Sequence, residues 1–525
     1  MSQQKRYYVT TSIPYVNGEP HIGFALEAVQ ADVLARAARQ RGEDTRSLSG
    51  TDENALTNVQ AAEREGIPVA ALVARNAARF AGLRGPLALS WDDFIRTSHD
   101  PRLVPGAQKL WRACVAADDV YKRHYTGLYC VRCERFYRQD ELIDGRCPIH
   151  GIVPEQVDEE NYFFRLSRYG DRLHDLIASD QLRVQPEHRK AEVLAFIGGG
   201  LADFSISRSA MRGRGWGVPV PDDPTQVMYV WVDALSNYIS ALDYATDGPL
   251  FHRFWRENPR RVHVIGKDIL RFHAVDWPAL LLSAGLPPPT TINVHEFLTL
   301  NNERISKSRG NTVDPVALAA TYGTDTLRYW LLREMPRAAD GDFTEARLVE
   351  RYERDLANDL GNLVNRVVSM IGRYRNGQVP ATDATSPSGE ALRSVAAAIP
   401  SKIAAGLENF DFRAALDAIW ALVSAANRAV DERKPWELAR AARAGDATAE
   451  HALDAVLAEL AEAVRLLAWH LTPFIPDGAA AFAEQLGLSS EELLLSGSSW
   501  GTALHGRTVQ QASPVFPRLE AALSS

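Results

Sequence analysis

Strand, turn, helix and strand follow one another within the first fifty residues, and that order commits the chain to a parallel sheet. Residues 6–12 are rich in Tyr, Val and Thr, and Pro14 and Asn17-Gly18 break the run. Apolar residues then recur at helical spacing over 24–41, before 45–49 extend again. Parallel strands cannot be joined by a tight turn, so the helix serves as the crossover of a βαβ unit. Between 126 and 151 the periodicity fails and turn residues and cysteines take over, the pattern of an insertion. The apolar stretches 228–232 and 261–265 resume strand character, each followed by a helical pattern, which predicts a sheet split in two by the insertion. After Arg347 long segments of 3.6-residue period dominate, interrupted by one polar loop at 380–390.

Composition narrows the class. A chain of 525 residues has room for three or four domains and a large core. With 46% hydrophobic and 24% charged residues, and no apolar run near the roughly 20 residues that span a bilayer, it reads as neither membrane-spanning nor disordered. The N-terminus carries no apolar signal core, so a cytoplasmic location is expected. Four cysteines cannot make a disulfide framework, and three of them crowd between 130 and 147. The net charge of −8 repels phosphate, so a nucleic-acid partner would have to be held by a local basic surface.

Three constellations carry chemistry. Gly18-Glu19-Pro20-His21-Ile22-Gly23-Phe24 lies between the first strand and its helix, where small residues admit a ligand and unpaired N–H groups face phosphate. Taken alone it equally fits an ordinary turn with a satisfied histidine. About 280 residues downstream, Arg304-Ile305-Ser306-Lys307-Ser308-Arg309-Gly310-Asn311 is a basic loop with hydroxyls and glycine, suited to clamping a polyphosphate or simply to being solvated. Cys130-x2-Cys133-x13-Cys147-x2-His150 supplies four soft ligands in two close pairs. That spacing fits a structural tetrahedral Zn²⁺ site with no position left open for substrate. Cys114 lies outside the pattern and reads as a small buried apolar residue.

The first two motifs, paired in a split parallel sheet, resemble the HIGH and KMSKS signatures of class I aminoacyl-tRNA synthetases. Further segments are similar to the methionyl-tRNA synthetase family: YVTTSIPYVNGEPHIGF, GLYCVRCERFYRQDEL, YVWVDALSNYI, IGKDILRFHAVDWPAL, DTLRYWLLRE and NRAVDERKPWEL among them. The resemblance implies a Rossmann-type α/β catalytic domain split by a zinc-knuckle insertion and followed by an all-α anticodon-binding domain. It implies a two-step reaction, in which L-methionine and ATP give methionyl-adenylate and pyrophosphate before methionine passes to the terminal adenosine of tRNA(Met). It places Ile13, Tyr15, Trp231, Tyr238 and His273 around the methionine side chain and Asp52 against its ammonium group. ATP falls to His21, Gly23, Arg304, Ser306, Lys307 and Ser308, with His21 and Lys307 as the catalytic pair and Mg²⁺ as companion. Asn362, Arg366 and Trp436 fall to the anticodon; Asn427 and Arg428 share a family-like segment without an assigned base. The chemistry agrees: a thioether suits an aromatic and aliphatic enclosure, and an unstacked base needs an aromatic or guanidinium platform.

The expected boundaries are 1–115 for the first half of the catalytic domain, 116–220 for the insertion with its knuckle at about 126–151, and 221–300 for the second half. A linking region with the basic loop takes 301–346 and the helical domain 347–525. The chain is expected to be a monomer. It departs from the family at Phe24, where a second histidine is usual, at Asn54-Ala55, where His-Gly usually follows Asp-Glu, and at Asp276, usually aromatic. Three departures near one site point to a pocket reshaped as a set. They keep open two alternatives to an active methionyl enzyme: a paralogue using a related amino acid or a non-tRNA acceptor, and a catalytically weak tRNA-binding protein.

Overall fold

The computed structural model describes residues 5–131, 135–149, 151–305, 312–381, 389–501 and 503–519. Its core is a six-stranded sheet formed by β1 (Arg6–Thr11), β2 (Asp44–Thr51), β3 (Asp93–Arg96), β4 (Arg183–Gln185), β5 (Arg261–Gly266) and β6 (Thr291–His295), in the spatial order β3-β2-β1-β5-β6-β4. Every neighbouring pair is parallel, with Tyr8 opposite Arg46 on one side and Arg261 on the other. The central strand β5 is buried along its whole length, as a parallel strand covered on both faces must be. Strand order reverses between β1 and β5, which opens a crevice at their C-terminal ends.

Sequence reading and structure agree on β1, on the crossover helix α1 (Ile22–Gln40), on β2 and on β5. They differ at 228–232. Residues Asp223–Met228 form a strand of a small antiparallel sheet outside the core, and helix α3 (Val230–Ser240), numbered after α2 (Val69–Ala81), begins at once. A short buried apolar run has the same pattern in a strand and in a buried helix, and here the helix wins. The stretch expected as insertion is also not wholly separate, because β4 comes from within it and completes the core sheet beside β6. The rest of the insertion is built on a four-stranded sheet in which Val120–Cys130 pairs antiparallel with both Arg135–Tyr137 and Glu155–Phe164.

Helix α4 (Thr324–Arg333) leads into the C-terminal part, where α5 (Asn362–Arg375), α6 (Phe412–Arg433), α7 (Pro435–Arg443), α8 (Ala447–Leu471) and α9 (Pro476–Gln485) are all helical, as expected. Part of the predicted loop, 382–388, lies outside the described residues. Among the described residues no helix is long and apolar enough to cross a membrane.

A fully buried side chain is central to the junction of the two parts. Arg328 on α4 is fully buried, and its guanidinium donates to the carbonyls of Leu87, Pro473 and Phe474, each at 2.9 Å, while pairing with Asp32 of α1 at 2.8 Å. Asp32 also accepts from Arg36 at 2.7 Å and from the Ser90 amide and hydroxyl at 2.7 and 2.6 Å. Burial works to raise the Asp32 carboxyl, but the two guanidiniums and the Ser90 hydroxyl outweigh it and hold it below the usual carboxylate range. Removing one partner of such a pair leaves the other charge buried and uncompensated, at a cost of about 3–5 kcal/mol. Arg328→Met is therefore expected to lower the unfolding free energy by about that much in a urea titration. A loss under about 1 kcal/mol would show that the junction does not depend on it.

Candidate active site

The site assembles at the crevice between β1 and β5. His21 caps α1: its Nδ1 accepts the Gly23 amide at 3.1 Å, which puts the ring proton on Nε2 and leaves it a donor. Gly23 is what allows this, since a Cβ there would stand 2.9 Å from the imidazole Cε1. The Ile22 amide donates to the Val313 carbonyl at 3.0 Å, so the helix start is tied to the segment leaving the basic loop. The first motif thus meets, through backbone, the segment that follows the second. Ser306, Lys307, Ser308 and the Arg304 side chain lie outside the described residues; the Arg304 backbone pairs with the strand Leu298–Leu300.

Beside α1 the residues read as a methionine enclosure come together. Tyr15 meets the Trp231 ring edge-on at 6.4 Å, and Trp231 stacks on Phe272 at 3.8 Å and 7°. His273 stands edge-on to Trp231 at 6.1 Å. The His273 ring is fixed at both ends. Nδ1 donates to the Ile269 carbonyl at 3.0 Å, so Nε2 is bare and accepts the Tyr238 hydroxyl at 2.8 Å. Burial drives the His273 pKa down to about 4, so the ring is neutral at pH 7. His273 lies in one wide helical turn, Phe272–Asp276, a distortion frequent at functional sites. Ile13 lies against Gly50, and a Cβ on Gly50 would fall 2.3 Å from the Ile95 carbonyl, so only glycine lets the strands approach here. Asp52 is buried next to Tyr15, its carboxylate accepting the Asn54 amide at 3.1 Å.

The sequence reading missed Glu27 and His295. Glu27, on α1, is buried and accepts the Ser12 amide and hydroxyl at 2.7 and 2.6 Å with one oxygen, while the other meets His295 Nε2 at 3.0 Å. His295 Nδ1 stands 3.0 Å from the Glu296 carbonyl. Burial opposes a charge on His295, but the Glu27 carboxylate outweighs it and raises the pKa. A buried, hydrogen-bonded carboxylate–imidazole pair stands at the C-terminal ends of β1 and β6, inside the crevice.

The departures from the family pattern do not form one set. Phe24 packs edge-on against Phe80 of α2 at 5.2 Å, in a different apolar cluster from Ala55. Asn54 donates to the buried Asp233 at 2.6 Å. Asp276 lines a cavity of about 760 Å³ between the insertion and the catalytic core, with Arg271, Phe272 and Tyr229 also on its walls. Phe24 is fitted to Phe80, not to the other two.

In the insertion, Cys130 and Cys147 are buried in one small cluster around Tyr137. Cys133 and His150 lie outside the described residues, and among the described residues no group of three or more metal-ligating side chains occurs. In the helical part, Asn362 and Trp436 are exposed, and Arg366 pairs with Asp431 at 3.0 Å.

A family model described as tRNA synthetases class I (M) matches residues 7–151 and 138–368. The methionine–tRNA ligase of Brucella suis is 41% identical over 522 residues, 99% of this chain and 98% of that protein. That of Mycobacterium leprae is 40% identical over 522 residues, 98% and 95% of the two chains. The solved Mycobacterium tuberculosis methionyl-tRNA synthetase in complex with methionyl-adenylate superposes with a TM-score of 0.92 at 39% identity, covering 98% of this chain and 100% of that one.

The neutral state of His273 has a consequence for stability. Its ordinary value is near 6.5 and its folded value about 4, so between these pH values the unfolded chain binds a proton that the folded chain does not, and stability falls as pH drops through that window. His273→Gln is expected to make the slope of unfolding free energy against pH, between about 4.5 and 6, shallower by about 1 kcal/mol per pH unit. An unchanged slope in urea titrations across that range would mean the ring is already charged when folded.

Proposed function

The chain belongs to the class I methionyl-tRNA synthetases, and from that premise we propose which of its residues carry each step of the reaction. It is a methionine–tRNA ligase: it uses ATP to activate L-methionine and transfers the methionyl group to tRNA(Met). It has the class I fold, a parallel-sheet core followed by a helical C-terminal region.

In adenylation a methionine carboxylate oxygen attacks the α-phosphorus, a new O–P bond forms, and the bond to the bridging oxygen breaks as pyrophosphate leaves. No side-chain nucleophile is needed; the protein's part is alignment and stabilisation of the developing charge. We assign the methionine side chain to Ile13, Tyr15, Trp231, Tyr238 and His273. The observation that carries this assignment is the aromatic enclosure closed by the Trp231–Phe272 stack and a histidine locked in its neutral form beside the His21-capped helix. A neutral, fully hydrogen-bonded imidazole suits a thioether, because it adds no buried charge. Asp52 is proposed to take the ammonium group. The phosphates are proposed to lie at the N-terminus of α1 against Gly23 and the His21 Nε2–H, with Arg304, Ser306, Lys307 and Ser308 closing from the basic loop; the Ile22–Val313 hydrogen bond supports that meeting. We place the nucleoside in the crevice that Glu27 and His295 line. Mg²⁺, which neutralises polyphosphate charge, would accompany ATP. In the second step a ribose hydroxyl of the tRNA's terminal adenosine attacks the methionyl carbonyl, and AMP leaves.

Cys130, Cys133, Cys147 and His150 are proposed to hold one structural Zn²⁺ in the insertion, residues 116–220; burial of Cys130 and Cys147 in one cluster fits that donor set. The anticodon is assigned to Asn362, Arg366 and Trp436 in the helical domain, residues 347–525. We propose a cytoplasmic monomer.

Two tests follow. Lys307→Ala should depress ATP–pyrophosphate exchange by orders of magnitude while methionine affinity stays nearly constant, because the charge is needed most where pyrophosphate develops. An equal loss of methionine affinity would assign the loop another role. Cys130→Ser should lower zinc content from about one per chain and destabilise the insertion, since metal binding and local folding are coupled. Protein purified without chelators that holds no zinc by elemental analysis would remove the metal site.

A further inference from the structure

The net charge of −8 requires that any RNA be held by a local basic surface, and two helices of the C-terminal part build one. On α7, Trp436, Arg440 and Arg443 recur at helical spacing on one face, and all three are exposed while Pro435 and Ala439 are buried. On α5, Asn362, Arg366, Ser369 and Arg373 share one face at helical spacing, Arg366 half-buried and the other three exposed, with Leu363, Val364, Val367, Val368 and Ile371 buried behind them. Contacts tie α5 to the last turns of α6, which lead into α7, near one end, and to α7 itself at the other. Arg366 meets Asp431, a few residues before Trp436, at 3.0 Å. At the other end the half-buried Tyr374 ring is approached by Arg443 from α7 at 5.8 Å and by Arg373 at 5.9 Å from its centroid. The result is a strip with an exposed indole at one end, a tyrosine flanked by two guanidiniums at the other, and Arg440 between.

We propose that this strip is a continuous platform for unpaired nucleotides of the tRNA, extending the anticodon face past Trp436 to Arg440, Arg443 and Tyr374; it rests on the reading that the helical domain binds the anticodon loop. From Trp436 to Arg443 the helix rises about 10 Å, the length of about three stacked nucleotides at 3.4 Å each. A guanidinium held over a tyrosine ring presents its outer plane to a base, and the exposed arginines lie within reach of the phosphates linking them. Acidic side chains flank the strip: Asp431 is engaged by Arg366, and Glu437 by Lys434 at 3.4 Å. Charge and aromatic surface therefore coincide on a protein that is acidic overall.

The test is equilibrium binding of an anticodon stem-loop hairpin of tRNA(Met), over a salt series, to the full-length protein and to Arg443→Ala, Arg443→Lys, Tyr374→Ala and Trp436→Ala. Arg443→Ala is expected to weaken binding about tenfold and to reduce the slope of log affinity against log salt by about 0.7, one phosphate contact on a single strand. Arg443→Lys should restore the slope but only part of the affinity, because it returns the charge without the plane. Tyr374→Ala should weaken binding several-fold with the slope nearly unchanged. If both Arg443→Ala and Tyr374→Ala bind like wild type while Trp436→Ala is weakened, the platform ends at Trp436 and the proposal is wrong, although the anticodon assignment stands. If Trp436→Ala also binds like wild type, the anticodon assignment itself falls. Arg443 is exposed, so its substitution leaves the fold intact and keeps the test decisive should Tyr374→Ala unfold.

Discussion

Helix α1 is held along its whole length, and most of the structure is referred to it. Its first turn carries the His21 cap, its second the Glu27 carboxylate, its middle the Asp32–Arg328 pair, and its last residue, Gln40, donates to the Trp469 carbonyl of the helical domain at 2.7 Å. These contacts span about 28 Å of one rigid rod. The C-terminal bundle and the crevice at the sheet's switch point are thereby fixed to the same element. For a reaction that depends on alignment rather than on a protein nucleophile, that matters, since a displacement of about 1 Å at the reacting atoms can cost about 100-fold in rate.

Burial explains both what the sequence reading found and what it overlooked. Strand β1 was legible because Tyr, Val and Thr crowd between turn residues, and α1 because its apolar spacing runs for five turns. The run at 228–232 misled because Tyr, Val and Trp are as much at home in a buried helix as in a strand. Glu27 and His295 were overlooked because a lone glutamate in a helix normally reads as its solvent face. A signal was available. Helix α1 is rich in alanine, with small or apolar residues on nearly every side, which is the composition of a helix buried all round. In such a helix each polar residue must have a buried partner: Glu27 has Ser12 and His295, and Asp32 has Arg328, Arg36 and Ser90.

The two sides of the crevice treat charge in opposite ways. Towards the aromatic enclosure, His263 and His273 are kept neutral by burial, each with both ring nitrogens engaged: His263 by Thr10 at 2.7 Å and Trp277 at 3.3 Å, His273 by Ile269 and Tyr238. Towards β6, the Glu27 carboxylate outweighs burial and raises the His295 pKa, favouring its protonated form. The pKa values of His263 and His295, on adjacent core strands, are therefore moved in opposite directions, the latter by one carboxylate delivered by α1. The side with neutral histidines suits an apolar side chain, and the side with the Glu27–His295 pair suits the polar groups of a nucleotide.

Phe24 can be weighed on the same scale. An edge-to-face pair with Phe80 contributes about 0.5–1.5 kcal/mol beyond the area it buries, and it fastens the first turn of α1 to α2. A histidine at that position could instead donate to a phosphate, an interaction whose removal elsewhere costs about 2.7–4 kcal/mol of transition-state stabilisation. The exchange favours rigidity over one donor. On the proposed phosphate placement it also concentrates the remaining demand on the His21 Nε2–H and the lysine of the basic loop, because the first-turn amides of Ile22, Gly23, Phe24 and Ala25 already donate to Val313 or to His21. Of these, the imidazole is set by the start of α1 itself, and the Ile22–Val313 hydrogen bond ties the loop's exit to the same turn. A site that has given up a donor therefore relies more heavily on how firmly that one helix start is held, and Phe24 is among the residues that hold it.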